Sequence, residues 1–156
     1  MTALSPCPCN PNTTYPACCG RYHAGEPANN PQTLMRARYS AYVKGHIGFI
    51  IATSLPVQQA QLDTAAMTAW SQNSQWLGLE VLTEILAPDL RHATVEFVAH
   101  WQDIQGQHQH QEKSLFLKPA EQWYFYDPNV PLQAERNAPC PCGSQRKFKK
   151  CCGPYL

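Results

Sequence analysis

Hydrophobic and polar positions follow two different periods along this chain, and the change falls near its middle. Between Pro31 and Lys44, Met35, Tyr39, Tyr42 and Val43 recur at i, i+4, i+7 and i+8, the stripe of one helix face, with Arg36 and Lys44 turned outward. Asn30 is placed to cap that helix, Pro31 suits a first helical position that needs no N–H, and Gly45 is a natural stop. His46 to Leu55 is short and apolar (Ile47, Phe49, Ile50, Ile51, Leu55) and reads as a second short helix before Pro56. Gln61 to Trp76 reads as a third, with Leu62, Ala66, Ala69 and Trp70 along one side.

From Leu77 the period becomes two. Leu79, Val81, Thr83 and Ile85 alternate in one segment, and Ala93, Val95, Phe97, Ala99 and Trp101 in the next; Leu115 with Leu117, and Trp123 with Phe125, mark two more. Asp103 to His108, containing Gly106, and Lys118 to Gln122, containing Pro119, read as turns. Four successive strands with short connections predict an antiparallel meander, and three helices laid on one face of it give a cone-like α+β domain.

A two-residue turn centred on Gln105-Gly106 pairs Trp101 with His110, Ala99 with Glu112 and Phe97 with Ser114. In that register His110, Glu112 and Ser114 share the face of Phe97, Ala99 and Trp101. Together with Tyr39 they are candidates for lining a cavity between the first helix and the sheet, where acid/base chemistry becomes possible. The other reading has His110 and Glu112 linking a wet sheet face with Glu96, His100 and Lys113, and a slip of one residue decides between the two. Same-face neighbours on a strand stand about 6 to 7 Å apart, too far for Ser114, Glu112 and His110 to form a hydrolase triad by themselves. The chain holds no glycine-rich phosphate loop, nucleophile elbow or His-Glu-x-x-His motif.

With 156 residues there is room for one central domain of roughly a hundred residues, and the two ends hold all eight cysteines. Pro6-Cys7-Pro8-Cys9, eight residues, Cys18-Cys19-Gly20 recurs as Pro139-Cys140-Pro141-Cys142, eight residues, Cys151-Cys152-Gly153. Four thiols on short turns are what a tetrahedral Zn²⁺ site requires, so the expectation is two zinc ions, one per knuckle. The adjacent cysteines must sit at a bend, where Gly20 and Gly153 are expected to supply positive φ. Two small disulfide frameworks are the alternative, but Met1 to Asn10 shows no basic segment followed by an apolar run, so a reducing cytoplasm is expected. Iron is the nearest substitute for zinc. Four thiolates close the coordination sphere and leave no position for water, which argues for structural rather than catalytic metal. His23, four residues beyond Cys19, is expected at the surface or in packing.

Charge refines the picture. Loading both knuckles with zinc moves the formal charge from +1 to about −3, so nucleic acid is not the expected partner, and only Phe148 and Tyr155 lie near the basic tail to stack on bases. Arg146, Lys147, Lys149 and Lys150 crowd the second knuckle, either offsetting its thiolates or forming a basic docking face for a protein. No apolar run approaches the roughly 20 residues of a membrane span, so no membrane insertion is expected.

The run Cys140-Pro-Cys-Gly-Ser-Gln-Arg-Lys-Phe-Lys-Lys-Cys151-Cys-Gly resembles the SEC-C motif, with Gln145 where that motif usually has a second glycine. In the first copy Asn10-Pro-Asn-Thr-Thr replaces the usual Gly-Ser-Gly-Lys run. With a knuckle at each end and Leu34 to Val43 after the first, the whole chain resembles the YchJ-type bacterial proteins. That resemblance implies a middle domain of the NTF2-like or cystatin-like kind, no settled activity, and, from the translocase tail that carries SEC-C, docking to a protein or ribosome-associated partner. The expected organisation is a knuckle over 1–24, an NTF2-like domain over 25–133 and a SEC-C knuckle over 134–156. A zinc-binding adaptor is the first functional expectation; a small-ligand binder or enzyme using Tyr39, Trp101, His110, Glu112 and Ser114 is the second.

Overall fold

The computed structural model describes residues 4–156; the missing leader read over Met1 to Asn10 falls in part on residues 1–3, outside the described residues. The first knuckle is built from β1 (Pro6–Cys7) and β2 (Asn10–Thr14), an antiparallel pair, followed by a single helical turn, α1 (Cys19–His23). Helix α2 spans Pro31–Lys44: the Asn30 carboxamide accepts from Thr33 N–H at 2.8 Å, and Gly45 closes the helix at φ 76°. Then come α3 (Ile47–Ala52), a 3₁₀ turn (Pro56–Gln61) and α4 (Thr64–Asn73), capped by Asp63 through Ala66 N–H at 2.9 Å.

The sheet is an antiparallel meander in the order β3 (Gln75–Leu86), β4 (His92–Asp103), β5 (Gly106–Leu117) and β6 (Tyr124–Phe125). Its short last strand is extended sideways by the end of α3: Phe125 N–H donates to the Thr53 carbonyl at 2.9 Å, and Leu55 N–H to the Phe125 carbonyl at 2.9 Å. Helix α2 lies across one face, and Leu34, Met35 and Tyr39 bury against Val95, Phe97, Ala99 and Phe116. This is the mixed α/β, helix-on-sheet arrangement that the two periods predict.

Four details differ from the sequence reading. The third helix ends at Asn73, and Trp76 belongs to β3; Ala66 and Ala69 are exposed, and α4 instead turns its buried Ser71 inward, where the hydroxyl donates to the Tyr42 carbonyl at 2.6 Å. The β4–β5 turn sits one residue earlier than expected, because Asp103 pairs with Gly106 and its carboxylate accepts from Gln105 N–H at 2.8 Å. The register therefore runs Trp101 with His108, Ala99 with His110, Phe97 with Glu112 and Val95 with Ser114. A shift of two along the partner leaves every side chain on its expected face.

The fourth concerns α2, which is buried on more than its apolar stripe. Ala37, Ser40 and Ala41 are also inaccessible; the first knuckle covers Ala37 and Ser40, since Cys7, Cys9 and Cys19 share one contiguous core with Leu34, Met35 and Ala37 and the Cys7 sulfur meets the Ser40 hydroxyl. The second knuckle does the same at another place: Cys140, Cys142, Cys151 and Cys152 pack with Leu55, Leu117 and Tyr126. Both cysteine clusters are thus part of the walls of the central domain. Among the described residues no helix is long and apolar enough to cross a membrane.

Candidate metal centres and the cavity beneath α2

At each end the chain brings four sulfurs together within 4.8 Å of one another: Cys7, Cys9, Cys18 and Cys19 in one cluster, Cys140, Cys142, Cys151 and Cys152 in the other. Nearest separations are 3.7 Å for Cys7–Cys9, 3.6 Å for Cys9–Cys18 and 3.5 Å for Cys9–Cys19, against 3.6 Å for Cys142–Cys151 and 3.9 Å for Cys151–Cys152. Metal–sulfur bonds of about 2.3 Å in a tetrahedron need sulfurs about 3.8 Å apart. The donor sets fit one ion each, held by thiolates alone.

Local chemistry explains the bends. Gly20 and Gly153 do not take positive φ; they are needed for close approach. A Cβ on Gly20 would stand 2.7 Å from the Tyr15 carbonyl oxygen, and one on Gly153 2.8 Å from that of Phe148. The left-handed positions of the second knuckle are Gly143 at φ 93° and Gln145 at φ 68°. The position where SEC-C usually has glycine is therefore one whose backbone favours glycine.

Hydrogen bonding within each cluster sorts the thiols. The S–H of Cys19, with help from Cys18 and Cys7, holds Cys9 well below the usual thiol range, while Cys19 itself is pushed far up. Cys142 is lowered in the same way by Cys152, which rises. In each cluster the neighbouring S–H groups thus favour one thiolate, Cys9 or Cys142.

Outer contacts hold the ligands. Ser40 Oγ on α2 lies 3.7 Å from the Cys7 sulfur, Ser144 Oγ 3.1 Å from that of Cys151, and His92 Nε2 3.4 Å from that of Cys152. His23 is no ligand: its Nε2–H donates to the Ala37 carbonyl at 2.8 Å, and Nδ1 accepts from the Tyr15 hydroxyl at 2.5 Å, clipping the knuckle to α2. Around the second cluster Arg146, Lys147 and Lys150 are exposed and Lys149 is half-buried, none of them ion-paired among the described residues.

Between α2 and the sheet lies a cavity of about 120 Å³. Tyr39, His110, Glu112 and Ser114 line it, with His110 and Glu112 joined at 3.3 Å. Trp101 does not reach its wall; it packs behind, 5.4 Å from Trp70 and stacked on His108 at 5.5 Å. Glu96 and Lys113 are absent from the lining, and His100 pairs elsewhere, with Glu80 at 3.0 Å. Sequence reasoning missed Arg38, Trp70 and Trp76, which also line the cavity. Arg38 was findable, since it lies three residues after Met35 and four before Tyr42, inside the apolar stripe.

The family model for the YchJ middle NTF2-like domain matches residues 30–128. The chain belongs to this YchJ family. A second family model, for the SEC-C motif, matches residues 136–154, the second knuckle. The crystal structure of a SEC-C motif containing protein from Psychrobacter arcticus shares 38% identity with this YchJ-family chain, with a TM-score of 0.84 over 98% of this chain and 97% of that one. The solution structure of a SEC-C motif containing protein from Rhodopseudomonas palustris shares 32% identity, with a TM-score of 0.70 over 78% of this chain and 95% of that one.

Proposed function

We propose that this protein is a cytoplasmic zinc-binding adaptor: two Zn(Cys)₄ knuckles stiffen the walls of the central domain, and the second presents a basic face to a protein partner. The observation that carries the metal half is the convergence of four thiols at tetrahedral spacing in each cluster. Seven of the eight cysteines are buried and the remaining one, Cys18, is half-buried, which favours a fixed structural ion over one open to substrate. Zinc, d¹⁰ and without redox chemistry, suits an all-thiolate site in a reducing compartment better than the iron alternative.

The docking half is supported by the chemistry of the tail. Arg146, Lys147, Lys149 and Lys150 surround an assembly that carries two negative charges once metallated, so the region retains a net positive face. An acidic protein surface is the complementary partner, through contacts that weaken with salt.

The test is a pull-down with the zinc-loaded chain at low and high salt, alongside Lys149→Glu with Lys150→Glu. A partner recovered at low salt, lost at high salt and lost in the double variant supports the reading. Recovery that is indifferent to both salt and the charge reversal refutes docking through this face.

A further inference from the structure

We propose that the cavity beneath α2 binds a small organic monocarboxylate with a flat apolar body, its carboxylate received by Arg38. Arg38 is 7% exposed, yet among the described residues no carboxylate lies within ion-pairing distance of it. Asp127 and Glu112 act on it only through space, and a buried cation with no paired counter-charge is costly unless something supplies one. The guanidinium is fixed rather than loose. Nη1 donates to the Ile50 carbonyl and the Thr53 hydroxyl, each at 2.8 Å, and to the Ser54 hydroxyl at 3.3 Å, while the guanidinium stands 4.2 Å over the Phe125 ring.

All three of these bonds leave from Nη1, so the rest of the fork remains for a carboxylate, which it can grip with two parallel hydrogen bonds. Burial lowers the Arg38 pKa to about 10, which still leaves it a cation at neutral pH.

Two further polar atoms in the same wall await partners. The Trp76 indole Nε1 and the Ser114 hydroxyl are buried without a hydrogen-bond partner among the described residues, and both residues line this cavity. Arg38 on α2 thus shares the cavity with two lining residues, on β3 and β5, whose polar atoms are unsatisfied. The remaining wall is largely aromatic, which selects a flat apolar body. Glu112, about one-third exposed and held by His110, adds one negative charge to the lining, which disfavours a ligand with two.

No cysteine of either knuckle lines the cavity. The test uses the full metal-loaded chain titrated with benzoate, benzamide and benzylamine, read by the NMR shift of the Trp76 indole N–H. Benzoate should shift that signal saturably, with benzamide weaker by about tenfold or more, as losing a charge-assisted hydrogen bond implies, and benzylamine without effect. Arg38→Met should abolish the response. Because that change also removes the three bonds that hold α3, Ser114→Ala is the second variant: it should weaken benzoate by about threefold without lowering the melting temperature, since it deletes an unsatisfied buried hydroxyl. Absence of a saturable benzoate shift, meaning a cavity filled by water alone, overturns the proposal. So does equal binding of benzamide, or an unaltered benzoate affinity in Ser114→Ala.

Discussion

His92 Nε2 lies 3.4 Å from the sulfur of Cys152, while Nδ1–H of the same ring donates to the Asp89 carboxylate at 2.6 Å. Burial acts to raise the Asp89 pKa, but donations from Arg91 N–H and the His92 ring outweigh it, and the carboxylate is held below its usual range. Tyr155 stacks on the imidazole at 4.3 Å, so the ring is fixed from three sides. A ring anchored on a carboxylate and set against a ligand sulfur fixes that ligand's position, as outer partners of metal ligands do.

Replacing His92 by Phe keeps the stack on Tyr155 and removes the bond to sulfur. Affinity at the second cluster should fall by about 10- to 100-fold, with the first cluster unchanged. Competition with a chromogenic chelator resolves the two sites as separate phases; an unaltered slower and faster phase in the variant would mean that His92 serves packing alone.

The turn chemistry makes a paired prediction. Gly153→Ala forces a methyl against the Phe148 carbonyl, 2.8 Å away, and should cost about 1–3 kcal/mol as overpacking does. Gln145→Gly relieves a left-handed residue at φ 68° and should stabilise by about 1 kcal/mol, less a part returned as unfolded-chain entropy. Thermal unfolding of the zinc-loaded protein measures both, and the two changes should have opposite signs.

His23 gives the first knuckle a dependence on pH. Burial holds its pKa below the ordinary histidine value, against the pull of its bond to the Ala37 carbonyl. The folded state therefore binds fewer protons than the unfolded chain. This stability is fully present above about pH 6.5 and is lost as the pH falls through the lower folded value. Denaturant midpoints of the native protein and His23→Gln, compared from about pH 8 to about pH 5, should converge on the acid side. A constant difference would remove His23 from the account.

Metal removal should reach beyond the ends. Since Cys7, Cys9 and Cys19 share a core with Leu34 and Ala37, and the second cluster shares one with Leu117 and Tyr126, chelation should expose the amides of both knuckles and loosen α2 and the β5–β6 edge. The β4–β5 centre should stay protected. Hydrogen exchange with and without chelator reads this directly; simultaneous loss of protection everywhere would show that the sheet cannot stand without metal.

Much of this was legible in the chain. Asn30, Pro31 and Gly45 mark α2 because capping is local chemistry, and alternation marks the strands because the pleat has period two. The cysteine spacing likewise announces two four-sulfur sites. What stayed hidden depends on distant partners. His92 and Cys152 are sixty residues apart, and nothing local ties them. The extra burial of Ala37 and Ser40 comes from a knuckle whose docking leaves no periodic trace. Trp76 follows a helical run without a breaker, and its pairing with Trp101 across β3 and β4 decides its state. The turn sits earlier because the Asp103 carboxylate accepts from Gln105 N–H and Gly106, at φ 120°, closes the bend as its pairing partner.

The proposal to test first is one zinc ion on the four thiolates at each end of the chain. Its most direct test is elemental analysis of protein purified without added metal, with thiols counted after denaturation in the presence of chelator. Two zinc ions per chain and eight titratable thiols are predicted from the two clusters. Metal-free protein with paired cysteines would contradict the account.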